Sequence, residues 1–176
     1  RLHTAAVKHD GTLWVWGHNT FGQLGLLDIA HRSSPVQVGT GTNWKQVSCG
    51  GAMSSAITTD GTLWVWGRNG NGQLGQADLV HRSSPVQVGL MTNWKESFVI
   101  SFSMGNESVF SIKTDGTLWA WGNNQSGSLG LRTSGVNTSS PAQVGTLTNW
   151  KSVTGGGGLD GATLGARAFA IQDGYY

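Results

Sequence analysis

Asp10-Gly11-Thr12-Leu13-Trp14-Val15-Trp16-Gly17 is written again as Asp60-Gly61-Thr62-Leu63-Trp64-Val65-Trp66-Gly67, and a third time, with one change, as Asp115-Gly116-Thr117-Leu118-Trp119-Ala120-Trp121-Gly122. Each copy is followed by an Asn-x-x-Gly-x-Leu-Gly segment, then by Ser-Ser-Pro-x-Gln-Val-Gly, then by Thr-Asn-Trp-Lys. The copies start 50 and then 55 residues apart, which delimits repeat units 10–59, 60–114 and 115–172, and a fourth opens at Asp173-Gly174. Self-similarity at such a period marks a repeat architecture. Within each unit short apolar runs are broken by Gly, Asn and Asp, a spacing that suits about four strands and leaves no room for a helix of about ten residues. The chain reads as all-β.

Asp-Gly favours a two-residue hairpin of the primed type, which needs positive φ at both central residues. Hairpins are therefore predicted at Asp10-Gly11, Asp60-Gly61, Asp115-Gly116 and Asp173-Gly174. The incoming strands are Ala5-Ala6-Val7, Ser55-Ala56-Ile57, Val109-Phe110-Ser111-Ile112 and Phe169-Ala170-Ile171, and the outgoing strand of the three complete copies is Thr-Leu-Trp-x-Trp. In that outgoing strand Leu13 and Val15 point one way and Trp14 and Trp16 the other, so both faces are apolar and both are buried. In an antiparallel protein this occurs where small sheets stack face to face around an axis, as propeller blades do.

The ordered set DGTLWxWG, NxxGQLG, SSPVQVG and TNWK, at about 50 residues per unit, resembles the RCC1-type repeat (regulator of chromosome condensation type). The resemblance covers nearly the whole chain. The closeness of the copies looks more like the RCC1-like repeats of bacteria and their viruses than the divergent repeats of the eukaryotic nuclear protein. It implies four-stranded blades and a seven-bladed ring. Three blades do not close a circle, since propellers have about four to eight. The expectation is that the other blades come from the rest of a longer parent chain or from another copy. Arg1 at the position of an initiator Met favours the first.

Composition agrees with a rigid scaffold: 11% of residues are charged, 28 are Gly and nine are Trp. No run approaches the roughly 18 to 20 apolar residues of a membrane span. Cys49 is the only cysteine, so neither an intrachain disulfide nor a Cys-based metal site is expected, and it reads as a small apolar filler rather than a reactive thiol. The tryptophans could be stacking platforms for sugars or bases. All nine recur at repeat positions, however: Trp14, Trp64 and Trp119; Trp16, Trp66 and Trp121; Trp44, Trp94 and Trp150. Residues present in every blade are most simply there to build every blade, and they are assigned to the structural core.

Several motifs suggest chemistry and do not carry it. Gly70-Asn71-Gly72-Gln73-Leu74-Gly75 matches the dinucleotide fingerprint letter for letter, but that motif works only between a strand and a helix, and the sister copies lack the first Gly. Gly155 to Gly158 has no Gly-Lys-Ser/Thr after it and reads as an interstrand loop. His31 and His81 each precede two serines, but neighbouring side chains in an extended segment point apart, and the third copy has Asn137-Thr138 in place of His-Arg. No catalytic residue, cofactor or metal site is expected.

The net charge is +2 with no basic run. The repeat sets Lys45, Lys95 and Lys151 at one height, and likewise Arg32 and Arg82. Such a ring could attract phosphate, but the favoured reading has each lysine stem covering its Trp neighbour. Nucleic acid is not an expected partner.

Differences between copies collect in loops, and loops line binding faces. From the Trp of TNWK to the next Asp-Gly the copies spend 16, 21 and 23 residues. The extra residues fall within Ser97 to Asn106 and Thr154 to Ala166. The first insertion is apolar, and Phe98, Phe102 and Met104, with Asn106 and Glu107, are the candidate binding residues. It is either buried against the next blade or exposed for a partner. Sequons at Asn106, Asn124 and Asn137 matter only in a secreting eukaryote.

Two function classes stand. The first is a non-enzymatic recognition module whose loops meet a protein or glycan partner, displayed outside the cell on a virus particle or bacterial surface. The second, which the resemblance implies for the eukaryotic members, is a regulatory module acting on a small GTPase or on chromatin. The resemblance ties those activities to an extra hairpin wedge and a basic tail, neither of which is expected within these residues.

Overall fold

The computed structural model describes residues 2–101, 106–156 and 167–172. The strands lie in four antiparallel sheets, each a simple meander in chain order. The first holds β1 (His3–Val7), β2 (Leu13–Gly17) and β3 (Arg32–Gln37). The second holds β4 (Trp44–Cys49), β5 (Met53–Thr58), β6 (Leu63–Gly67) and β7 (Arg82–Gln87), and the third β8 (Trp94–Ser101), β9 (Glu107–Lys113), β10 (Leu118–Gly122) and β11 (Thr138–Gln143). The fourth contributes β12 (Trp150–Gly156) and β13 (Arg167–Gln172). A single turn of 3-10 helix, Gln125–Gly127, is the one helical element among the described residues.

The sequence repeat and the blade are out of phase. A complete sheet runs from the Trp of one TNWK segment to the Ser-Ser-Pro-x-Gln of the next unit, so each repeat unit supplies two strands to one blade and two to its successor. Strands β4, β8 and β12 touch their neighbours' first strands and so lie innermost. Strands β3, β7 and β11 lie at the outer edge, each carrying a proline, Pro35, Pro85 or Pro141. A proline at an edge removes a donor and blocks pairing with another strand.

The two-faced reading of Leu-Trp-x-Trp accounts for how the sheets stack. Leu13 and Val15 join Trp64 and Trp66 in one core cluster between the first and second sheets. Leu63 and Val65 join Trp119 and Trp121 between the second and third. Trp66, Trp94 and Trp121 are fully buried. Trp44, Trp64, Trp119 and Trp150 are half-buried and packed on the clusters. Trp14 and Trp16 are half-buried on the side of the first sheet opposite that cluster. Each complete blade holds a Trp triad drawn from two repeat units: Trp44 meets Trp64 edge-on at 6.1 Å and Trp66 at 6.3 Å, and Trp94 meets Trp119 at 6.2 Å and Trp121 at 6.1 Å.

The Asp-Gly turns differ from the two-residue primed hairpins that the sequence predicts. Lys8 N–H donates to Thr12 O (2.9 Å) and Gly11 N–H to Lys8 O (2.9 Å), and only Gly11, at φ +76°, is left-handed. This is a three-residue loop, a type I turn closed by a left-handed glycine. The second and third copies repeat it, with Gly61 N–H donating to Thr58 O and Gly116 N–H to Lys113 O. Asp173-Gly174 lies outside the described residues.

A side-chain relay explains why the aspartate recurs. Trp14 Nε1–H donates to Thr12 Oγ1 (2.8 Å), whose hydroxyl donates to Asp10 Oδ1 (2.6 Å). Trp64, Thr62 and Asp60 repeat the relay, as do Trp119, Thr117 and Asp115. The Thr12 hydrogen bonds pull the Asp10 pKa down to about 2, and Asp60 and Asp115 are lowered chiefly by threonine hydroxyls. Over each turn crosses the Thr-Asn-Trp segment that opens the next sheet. Trp44 N–H donates to Gly11 O at 3.1 Å, and a Cβ on Gly11 would lie 2.0 Å from Thr42 O.

Gly155 and Gly156, expected in a loop, are the last residues of β12 and pair with Ala168 and Arg167. Gly157 and Gly158 lie outside the described residues.

Candidate functional site

The strand register sorts the connections onto two faces. One carries the Asp-Gly turns and the Thr-Asn-Trp-Lys segments, since Trp44 pairs with Thr58 just before Asp60. The other carries the short connection from β4 to β5 and the long ones at residues 18–31, 68–81 and 123–137.

The long connections share one construction. Asn19, fully buried, donates its amide to Asp28 O (3.0 Å), Asp28 Oδ1 (3.1 Å) and Ala30 O (3.1 Å), and its Oδ1 accepts from Leu24 N–H (2.9 Å). Asn69 and Asn124 do the same work in the next two loops. The loop also grips the following blade. Trp66 Nε1–H donates to Gln23 O (2.9 Å) and Trp121 Nε1–H to Gln73 O (3.0 Å), while Leu27 N–H reaches Ser83 O (2.8 Å) and Ala77 N–H reaches Ser139 O (2.7 Å). Close approach explains the last two glycines of the false dinucleotide fingerprint: a Cβ on Gly72 would lie 2.6 Å from Ser139 Cα, and one on Gly75 2.8 Å from Trp121 Nε1.

The histidines of the His-Arg-Ser-Ser-Pro segments are loop anchors. His31 Nδ1 accepts the Asn19 backbone N–H at 2.9 Å, and His81 Nδ1 accepts that of Asn69 at 3.0 Å. In the third blade Asn137 Oδ1 takes the same role toward Asn124 at 3.0 Å. Arg32 and Arg82 are paired with Asp28 and Asp78 at 2.5 Å, so the pair forms no uncompensated cationic ring. The neighbouring arginines and backbone hydrogen bonds hold both aspartates below the usual carboxylate range, the backbone bonds from Ala30 and Val80 being the larger cause.

Lys45, Lys95 and Lys151 are exposed on the opposite face. Among the described residues, ammonium groups lie over Trp rings at the strand ends before the turns: Lys8 over Trp14, and Lys113 over Trp94 and Trp119. Cys49 is half-buried, and desolvation pushes its thiol pKa up, which suits a filler.

The apolar insertion divides. Residues 97–101 are not loop; they lengthen β8, pairing Phe98 with Phe110 and Ser101 with Glu107. Phe98 packs half-buried on the cluster facing the fourth sheet, and Val99 on the one facing the second. Gln46 ties the innermost strands together, exchanging bonds of 3.1 Å with Ser97 N–H and Ser97 O. Glu107 is fully buried and accepts from Gln73 Nε2 at 3.0 Å, so it binds two blades together and is not offered to a partner. Asn106 is half-buried, its Nδ2 3.5 Å from Gln125 Oε1. Phe102 and Met104 lie outside the described residues. Of the sequon asparagines, Asn124 is fully buried.

Sequence reasoning missed the side chains that the surface offers in their place. Leu27, Ile29, Leu79, Val80 and Val136 are between 60% and 80% exposed, all in the three long connections. Leu27 is pushed outward by a left-handed backbone, φ +66°, shared by Ala77 and Arg132 at the same place in the next two loops. Phe21 adds an aromatic, with the Arg68 guanidinium 5.3 Å from its centroid and the His81 ring edge-on at 5.4 Å. The signal was present in the sequence as Leu-Leu-Asp-Ile-Ala and Gln-Ala-Asp-Leu-Val, apolar residues inside otherwise polar loops.

Among the described residues no group of three or more His, Cys, Asp or Glu could hold a metal ion, and no helix is long and apolar enough to cross a membrane.

Stacked four-stranded antiparallel sheets, joined by repeats that straddle them, define part of a β-propeller. The family model for the regulator of chromosome condensation (RCC1) repeat matches three times, at residues 10–57, 60–112 and 115–159, and a second model of that description matches 44–73 and 99–128. The chain belongs to the RCC1-repeat family. It is 34% identical over 144 residues to the ultraviolet-B receptor UVR8 of Arabidopsis thaliana, a match covering 81% of this chain and 32% of that protein. Human WBSCR16 superposes with a TM-score of 0.75 at 21% identity, over 89% of this chain and 41% of its own. Prp20p of Saccharomyces cerevisiae, studied for its binding to Gsp1p and histones, gives 0.70 at 21% over 82% and 36%. The same yeast protein bound to Kap60 gives 0.74 at 20% over 86% and 37%. The chain thus spans about a third of the length of that plant receptor.

Proposed function

We propose that this chain is a non-enzymatic recognition module that binds a protein partner through the face carrying the long connections. One observation carries the reading. Ile29, Leu79, Val80 and Val136 stand exposed near the ends of the three long connections, and Leu27 is exposed in the first of them. Apolar side chains exposed side by side mark interaction surfaces, whereas Leu90 and Leu147 stand singly in the connections of the opposite face. Aliphatic side chains suit a protein partner better than a glycan, which stacks on flat rings, and most of the Trp rings are packed into the core. The neutralised arginines argue against a phosphate backbone. Low charge and near-identical repeats support display on a virus particle or a bacterial surface.

A second reading, a regulatory module acting on a small GTPase or on chromatin, is supported by the likeness to Prp20p, described as binding Gsp1p and histones. Both readings use a propeller face.

Photo-crosslinking from the full-length protein in its native source tests the proposal. A crosslinking residue in place of Leu79 is expected to capture a protein, and one in place of Lys95 on the opposite face is not. Capture from position 95 alone, or from neither, overturns it. The captured protein's identity, an envelope or particle component against a GTPase or histone, separates the two readings.

A further inference from the structure

We propose that the recognition face carries an acid-sensitive release: protonation of His31 and His81 detaches the first two long connections, while the third, anchored by Asn137, stays in place. The inference rests on the reading of that face as the binding surface and names its regulation.

The argument is one of hydrogen-bond polarity. Asn19, Asn69 and Asn124 are fully buried, and each backbone N–H has as its partner one atom of the segment ahead of Ser-Ser-Pro. In the first two blades that atom is imidazole Nδ1, which accepts only while it carries no proton. A second proton there sets two donors against each other and leaves a buried N–H unsatisfied. In the third blade the acceptor is an amide oxygen, which has no such transition at mild pH. In all three loops the Asn Oδ1 accepts the backbone N–H five residues on, while its amide holds Asp28 or Asp78 in the first two and Thr133 in the third. The same fold thus holds two titratable anchors and an internal control.

Each ring is packed against specific neighbours. His31 stacks on His18 at 4.4 Å and 25°, and the adjacent Arg32 is paired with Asp28. His18 itself meets Gln23 Nε2 through Nδ1 (3.2 Å) and Thr20 Oγ1 through Nε2 (3.0 Å), and its charge couples to His3, whose Nε2 lies 2.7 Å from Ser54 Oγ. His81 is edge-on to Phe21, which carries Arg68 over its ring, and the Arg82–Asp78 pair lies next to it. Desolvation, and then the Arg68 charge, lower the His81 pKa from its ordinary value. Both rings are exposed enough for solvent protons to reach them. The loops that would loosen, residues 18–31 and 68–81, carry Leu27, Ile29, Leu79 and Val80, so acid would dismantle most of the apolar surface without unfolding the sheets beneath it.

Amide hydrogen exchange of the full-length protein, read residue by residue and corrected for the intrinsic effect of pH, tests this without a partner. Opening the loop frees a neutral imidazole of pKa about 6.5, so between pH 7.5 and 5 the opening constant rises by up to about thirtyfold. The Asn69 amide is expected to lose between about threefold and thirtyfold in protection, the Asn19 amide to fall in the same direction, and the Asn124 amide to hold. His81→Asn, which copies the third blade, should make Asn69 protection independent of pH. If that variant has lost the loop already at pH 7.5, Asn137→His decides the matter, because it should confer acid sensitivity on Asn124. Equal behaviour of all three amides in the parent protein, or pH dependence that survives His81→Asn, overturns the proposal. Failure of the crosslink from position 79 leaves these exchange data standing, so the switch and the binding surface fail separately.

Discussion

Truncating Trp66 to Ala tests whether the repeated tryptophans hold blade to blade. Trp66 has no exposed surface, packs among Leu13, Val15 and Leu24 of the preceding blade's unit, and donates its Nε1–H to Gln23 O at 2.9 Å. Losing a buried Trp costs about 3–5 kcal/mol through lost transfer energy and the cavity left behind. The upper end applies, because the cavity would lie between two sheets whose backbones are fixed by their own ladders, and because Gln23 O loses its side-chain donor, a further ~1 kcal/mol. Trp64, half-buried at the edge of the same cluster, should cost only about 1–2 kcal/mol in the same truncation. Trp66→Phe keeps most of the ring contact and isolates the hydrogen bond. Urea unfolding followed by far-UV circular dichroism gives all three values without relying on Trp fluorescence. If Trp66→Ala costs under about 2 kcal/mol, or no more than Trp64→Ala, the interblade role assigned to these rings is wrong.

Gly116 and Gly135 share φ +76°, but a Cβ on Gly116 would lie 1.9 Å from Thr148 O while one on Gly135 meets nothing within 4 Å. Gly116→Ala should therefore cost well over 3 kcal/mol and Gly135→Ala only ~1, the strain of a left-handed alanine, a difference read from thermal melts. Thr117→Val removes the hydroxyl between Trp119 and Asp115 at nearly constant shape and should cost about 1–2 kcal/mol. It should also raise the Asp115 pKa, since the Thr117 hydroxyl is the largest cause of its lowering. A lowered carboxylate contributes stability that is present above its ordinary pKa and is lost as pH falls through the folded value, so the variant should have a shallower acid limb. Carboxyl carbon chemical shifts in a pH titration check both statements, and an unchanged Asp115 midpoint refutes the relay.

The fold was legible because its signals are local and repeated. Alternation in Leu-Trp-x-Trp specifies two buried faces, and the triads confirm which rings belong together in each complete blade. The turn type was misread because Asp-Gly serves both two- and three-residue hairpins. The choice lies with Thr12, whose N–H and hydroxyl both bond Asp10, and with Thr42, which crosses over Gly11. Neither pairing can be read from the turn itself. Glu107 looked available because it follows the insertion, yet its partner Gln73 is 34 residues away on another blade. His31 and His81 looked like candidates for chemistry because their partner, the backbone N–H twelve residues earlier, leaves no mark in composition. The exposed Leu27 and Leu79 could have been found by asking which apolar residues break an otherwise polar loop.

The offset between repeat and blade has a genetic consequence. Because each unit ends one sheet and begins the next, duplicating a unit inserts a complete sheet and recreates both of its interfaces from residues already matched to each other. Losing a unit likewise removes a sheet and leaves the flanking ones compatible. Lineages built this way can change their number of repeats by unequal recombination without inventing a contact, and near-identical copies such as residues 10–17 and 60–67 are what recent exchange of that kind would leave.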